Sequence, residues 1–148
     1  MSENLADYKH RTPIQVRFSD LDLYGHVNNA TYLSYFETAR LHYWKDVIKW
    51  DWNHNGIIIA RSEVNYLKTI NRGDEIACYV RTSRIGNSSF DIMHVLVKVT
   101  PEGEEICTTG KTVCISYDYG NHKPVIIPAE QRERMIAFDE PGIILNTK

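Results

Sequence analysis

Cysteine is scarce and badly placed for covalent or metal chemistry: Cys78, Cys107 and Cys114 are odd in number and form no C-x-x-C pair. That argues against a disulfide framework or a zinc site. All three lie among β-branched and apolar residues, as ordinary semi-buried thiols do. Cys107 and Cys114 are seven residues apart, so in one unbroken strand they point to opposite faces. Long apolar runs are missing too. A run such as Ile57 to Ala60 falls far short of the roughly 20 residues that span a bilayer, and the N-terminal MSENLADYKHR has no apolar signal core. The expectation is a soluble, cytoplasmic protein with no membrane partner. The N-x-S/T sequons at Asn29 and Asn87 then carry no glycan, because glycosylation needs a secretory route. Excess charge of one sign is absent as well. Seventeen Lys and Arg against nineteen Asp and Glu give a formal charge of -2, with the basic residues scattered, which removes the electrostatic footprint that nucleic acid requires. Gly-rich phosphate loops, G-x-S-x-G and H-E-x-x-H are all lacking.

What is present fits one domain over residues 1–148, a length that buries roughly 68–70% of its unfolded surface. Thr12 to Phe18 alternates, with Ile14, Val16 and Phe18 against Gln15 and Arg17, which predicts a half-buried strand. From Ala30 to Ile48, Tyr32, Phe36, Ala39, Tyr43 and Val47 recur at spacings of three and four, predicting a helix of about five turns. Glu37 and Arg40 are placed to pair on it. After Gly56 the period falls to two, with turns at Asn71–Asp74, Gly86–Ser88 and Pro101–Gly103 dividing four strands. Pro128 can open a short helix over Ala129 to Phe138. The order is strand, long helix, four meandering strands and short helix, an α+β plan in which a curved antiparallel sheet covers a helix apolar on much of its circumference.

The segment FSDLDLYGHVNNATY is richer than a helix cap needs. A calcium loop is a poor match, because Tyr24 and Thr31 occupy positions where acidic or amide ligands belong. The helix start offers unsatisfied N–H donors and the positive end of the macrodipole. A carboxylate beside them, such as Asp22, could attack a carbonyl or activate water while a helix N–H polarises the oxygen. The same residues also read as turn formers (Asp20, Asp22), a loop histidine (His26) and caps (Asn28, Asn29).

The run from Arg17 to Tyr32, with Asp20-x-Asp22 and His26-Val27-Asn28-Asn29, and the later Glu37-Thr38-Ala39-Arg40, resemble the motif of the 4-hydroxybenzoyl-CoA thioesterase family. Plant acyl-carrier-protein thioesterases share the D-x-D and H-V-N-N pattern. Weaker echoes are Glu63-Val64-Asn65-Tyr66, Arg72-Gly73-Asp74 and Ile85 to Ser89. The resemblance implies a hotdog fold, an antiparallel five-stranded sheet wrapped around one long central helix, and hydrolysis of an acyl-CoA thioester without a cofactor. It puts the catalytic carboxylate, as nucleophile or general base, on Asp22 and the carbonyl-polarising N–H on Asn29. His26 matches an active-site histidine of the carrier-protein branch, whereas Tyr24 stands where that branch has a functional asparagine. Tyr24, Asn28, Glu63, Ser88 and Ser89 are expected near substrate, the serines across a subunit boundary. Lys68, Arg84 and Lys111 could meet the phosphates of coenzyme A. The implied partners are acyl-CoA and further copies of the chain, as a homodimer or homotetramer with active sites near the interface. Hydrolysis of carrier-protein thioesters and non-catalytic acyl-CoA binding are the alternatives.

Overall fold

In the computed structural model, residues 3–146 are described. The helix α1 spans Thr31–Tyr43, and Trp44–Ile48 continues it as a wider π turn. The apolar spacing thus persists to Ile48, but the last turn loosens so that Trp44 and Ile48 both reach the core. Lys49, with φ 56°, ends the helix in the left-handed region. Tyr32, Phe36, Ala39 and Tyr43 of the predicted stripe are buried, with Tyr35 beside them, while Val47 is only partly buried.

Five strands form the sheet: β1 (His10–Ile14), β2 (Gly56–Tyr66), β3 (Ile76–Ile85), β4 (Ser89–Thr100) and β5 (Gly103–Asp118), in the spatial order β1-β3-β4-β5-β2. All neighbours on this path are antiparallel. Two short strands extend it, β6 (Lys123–Pro124) on β5 and β7 (Ile144–Leu145), parallel, on β3. Helix α2 (Ala129–Asp139) follows Pro128, and Asp139 ties its end to the core. Tyr43 donates to that carboxylate, as does the Thr82 N–H at 3.0 Å. Inward residues Phe90, Ile92 and Leu96 of β4 pack with α1. On the opposite face Val95 and Val97 are buried under Tyr8 from the N-terminal segment, so β4 is covered on both sides.

Two expectations change. The first strand is displaced to His10–Ile14, because its partner β3 begins at Ile76 opposite Ile14; Val16 and Phe18 have no strand to pair with, and Phe18–Asp20 closes into a 3-10 turn. Cys107 and Cys114 both face the core, since the β4–β5 register skips from Leu96↔Thr108 to Val97↔Ile106. That bulge at Cys107 adds one residue and reverses the parity.

Candidate functional site

The polar segment before α1 is built around two aspartates with different tasks. Asp20 is buried, and its Oδ2 accepts from the Arg17 N–H at 2.9 Å and the Tyr35 hydroxyl at 2.8 Å. Its Oδ1 takes the Arg17 guanidinium at 3.0 and 3.2 Å. Burial alone would raise its pKa, but these hydrogen bonds outweigh it and hold the carboxyl below the ordinary aspartate value. Asp20 is therefore a structural anion that fixes the entry to the loop.

Asp22 is exposed and shapes a tight turn. Its N–H donates to the His26 carbonyl at 2.7 Å, and its Oδ1 accepts the N–H groups of Tyr24 at 2.8 Å and His26 at 3.1 Å. Gly25 sits in this turn at φ 79°, which glycine alone adopts without strain. The turn is stitched to the β2–β3 connection by Val27 N–H to Ile70 O at 2.8 Å and Arg72 N–H to Gly25 O at 3.0 Å. With Oδ1 occupied by two backbone donors, Oδ2 has no donor among the described residues.

Asn28, rather than Asn29, caps the helix. Its Oδ1 accepts the Ala30 N–H at 3.0 Å and its carbonyl accepts the Thr31 N–H at 2.9 Å. Asn29 gives its carbonyl to the Tyr66 hydroxyl at 2.9 Å, while its N–H has no acceptor among the described residues. Asp22 and Asn28 share a cleft of about 690 Å³ with Phe18, Leu21, Leu23 and Arg72. Asn29 lines a smaller one, about 140 Å³, with Tyr32, Tyr66 and Lys68. Tyr24 and His26 stay on the exposed turn, His26 bridging to Asn71.

The remaining candidates lie elsewhere. Arg84 and Ser89 are hydrogen-bonded at 2.8 Å, and Arg84 and Lys111 both pair with buried Asp91, at 3.1 and 3.6 Å. Glu63 pairs with Arg61 at 2.5 Å and stands opposite Lys111 in the β2–β5 register. This cluster occupies the face of the sheet away from α1. Ser88 and Ser89 stand at the far end of β3, about 25 Å along the strand from the Asn71 end that carries the Asp22 turn. Lys68 is at the Asp22 end but pairs with Glu105 at 3.0 Å. The three cations expected for phosphate are thus each engaged by a carboxylate. Arg72, which the sequence marks as part of a turn and of the Arg72-Gly73-Asp74 echo but not as a phosphate ligand, is the cation that lines the Asp22 cleft, and no carboxylate pairs with it among the described residues. The local signal was its position beside Gly73-Asp74, where φ 85° at Gly73 makes a turn obligatory. No three His, Cys, Asp or Glu side chains converge as a metal site among the described residues.

Residues 16–135 match the model of the thioesterase-like superfamily. The chain belongs to that family. It is a family of thioester hydrolases, and this member keeps its hotdog fold, the curled sheet around α1. The long-chain acyl-CoA thioesterase FadM of Escherichia coli (strain K12) is 30% identical over 132 residues, covering 84% of this chain and 96% of FadM. A crystal structure of a thioesterase from Thermus thermophilus, complexed with coenzyme A and Zn, is 38% identical with TM-score 0.78, covering 90% of this chain and 96% of that one. The 4-hydroxybenzoyl CoA thioesterase from Pseudomonas sp. strain CBS-3 shares the fold at TM-score 0.74 and 17% identity, over 83% of this chain and 96% of that one. No helix among the described residues is long and apolar enough to cross a membrane.

Proposed function

We propose that this thioesterase hydrolyses acyl-CoA thioesters, with Asp22 as nucleophile or general base and the Asn29 N–H binding the carbonyl oxygen. The observation that carries the reading is the division of labour at the helix start. Asn28 performs the capping, which leaves the Asn29 N–H unspent at the positive end of α1, and the two backbone donors on Asp22 Oδ1 leave Oδ2 for chemistry. In one route Oδ2 attacks the thioester carbon, the C–S bond breaks to release the thiolate, and water opens the resulting anhydride. In the other, Oδ2 takes a proton from a water that attacks directly.

The sheet also supports an oligomer. Strand β2 ends the order, so the outer edge of its eleven residues pairs with no strand among the described residues. Ile59 and Tyr66 on it, and Leu33 and Leu41 on α1, are exposed. Two-fold antiparallel pairing of β2 edges would set the Gly56 end of one copy against the Tyr66 end of the other. The partner's Ser88 and Ser89 would then approach the Asn29 side of this chain, which accounts for their distance from Asp22 within it. A homodimer, alone or doubled into a tetramer, is the assembly this geometry supports.

The test is thiol release from a panel of short, long and aromatic acyl-CoAs, run beside carrier-protein thioesters of the same acyl groups. Turnover on the CoA series supports the reading. Tight acyl-CoA binding without turnover would replace it with a binding module, and turnover confined to the carrier-protein series would move the substrate class.

A further inference from the structure

Arg72 departs from every other candidate cation in having no anionic partner among the described residues. Its backbone N–H is committed to Gly25 O at 3.0 Å, which anchors the residue without using its side chain. Its guanidinium lies over the ring of Phe18, with 5.8 Å from its central carbon to the ring centroid, and Phe18 is itself 80% exposed. A guanidinium laid on an aromatic face still has in-plane N–H groups to offer a second ligand. Phe18 and Arg72 both line the 690 Å³ cleft that contains Asp22. An apolar ring that stays in solvent is a poor use of a large side chain unless it orients something. Here it steadies a cation at the mouth of the reactive cleft. Lys68, Arg84 and Lys111, by contrast, are tied to Glu105 or Asp91, and drawing them onto a phosphate would strand those carboxylates, one of them buried.

We propose that the Phe18–Arg72 pair is the phosphate-recognition element of this site: Arg72 binds a phosphate of the substrate's leaving half, so that phosphate-bearing thioesters are selected over those that lack one. The proposal rests on the hydrolytic reading of the same cleft and adds to it the residue that sets leaving-group preference. Coenzyme A and a phosphopantetheine arm share this chemistry, and plain pantetheine lacks it. Arg72 is a positioning and specificity residue that never meets the reacting carbonyl, so its loss weakens capture and spares the chemical step.

The experiment compares wild type, Arg72→Ala and Arg72→Lys on one acyl group carried by three thiols: coenzyme A, 4′-phosphopantetheine and pantetheine. Removing one charge-assisted contact corresponds to about tenfold or more in KM. The expected result is that rise for Arg72→Ala on coenzyme A, with kcat and the pantetheine KM nearly unchanged and with partial recovery in Arg72→Lys. A penalty on phosphopantetheine as well places the contact on its phosphate; a penalty confined to coenzyme A places it on the nucleotide's phosphates. An equal rise on all three thioesters, or no rise on any, overturns the proposal. Because the fixing hydrogen bond at Arg72 is from the backbone, the alanine variant keeps the turn. If the wild type hydrolyses none of the three, the hydrolytic reading fails separately. Calorimetry with free coenzyme A then decides the matter, where weaker binding to Arg72→Ala than to wild type upholds the contact and equal or absent binding refutes it.

Discussion

His94 is fully buried in the middle of β4, stacked on Phe36 at 4.5 Å between centroids, and no well-formed hydrogen bond reaches its ring nitrogens among the described residues, the Gly110 backbone making only a weak contact that favours the proton. Burial pushes its pKa well below the ordinary histidine value, and the Arg40 guanidinium pushes the same way. The native state therefore holds this imidazole neutral while the unfolded chain protonates it near 6.5. Stability contributed by His94 is present above that pH and is lost as pH falls below it, because the unfolded state then binds the extra proton. His10, also depressed by burial, acts in the same direction more weakly. Urea midpoints measured between pH 7 and 5 should fall, and His94→Gln should flatten that fall; an unchanged slope would refute the assignment. Asp20 is held below the ordinary aspartate value and titrates outside this window, whereas burial raises the pKa of Asp139, whose folded state takes up its proton first and so opposes the fall. A second test at this scale is Tyr35→Phe, which removes a hydroxyl that donates to the buried Asp20 at 2.8 Å. It should cost about 1–3 kcal/mol by chemical denaturation. Pairing was harder to foresee than identity. Glu37 and Arg40 have the spacing of a surface pair, yet Arg40 is buried over Trp44, its Nη1 3.3 Å from Thr112 Oγ1. Sequence spacing shows which residues share a helix face but not how far the sheet wraps over it.

Helix and sheet approach closely at Gly110. A Cβ there would lie 2.3 Å from the Phe36 ring and 2.9 Å from the Glu63 carbonyl, and neither a ring locked against His94 nor a strand backbone can yield cheaply. Gly110→Ala should destabilise by about 1–3 kcal/mol, and Phe36→Leu should recover part of the loss in the double variant. Additive losses would mean that the clash is relieved elsewhere. The long helix and the meander were legible because each has its own period. Parity within the strands was not, since the shifts between Ile59 and Arg61, Thr82 and Arg84, and Leu96 and Val97 each turn a strand over without a local signature. Cys107 is the residue on which that matters most. The first strand likewise slid to match a partner more than sixty residues away, and pairing over such a separation leaves no trace in the alternation itself.

At the scale of the molecule, the two ends of the sheet carry different halves of the candidate site: Asp22, Asn28 and Asn29 at one, Ser88 and Ser89 at the other. Sequence places each residue in its turn, but only the sheet order reveals that β2 ends the sheet among the described residues, as an edge through which a second copy could bring the halves together. Light scattering should give an even number of subunits for the wild type, and Ile59→Asp on that edge should shift the mass toward the monomer. A wild-type monomer would contradict the two-fold arrangement. Asp22 carries the central claim. Asparagine in its place keeps an Oδ1 acceptor for the Tyr24 and His26 N–H groups, so the turn survives while the reactive carboxylate oxygen is lost. Single-turnover thiol release from the best acyl-CoA substrate is therefore the most direct measurement. Asp22→Asn should bind substrate and keep the wild-type melting temperature but release thiol at least about a hundredfold more slowly. Full activity in Asp22→Asn would contradict the assignment.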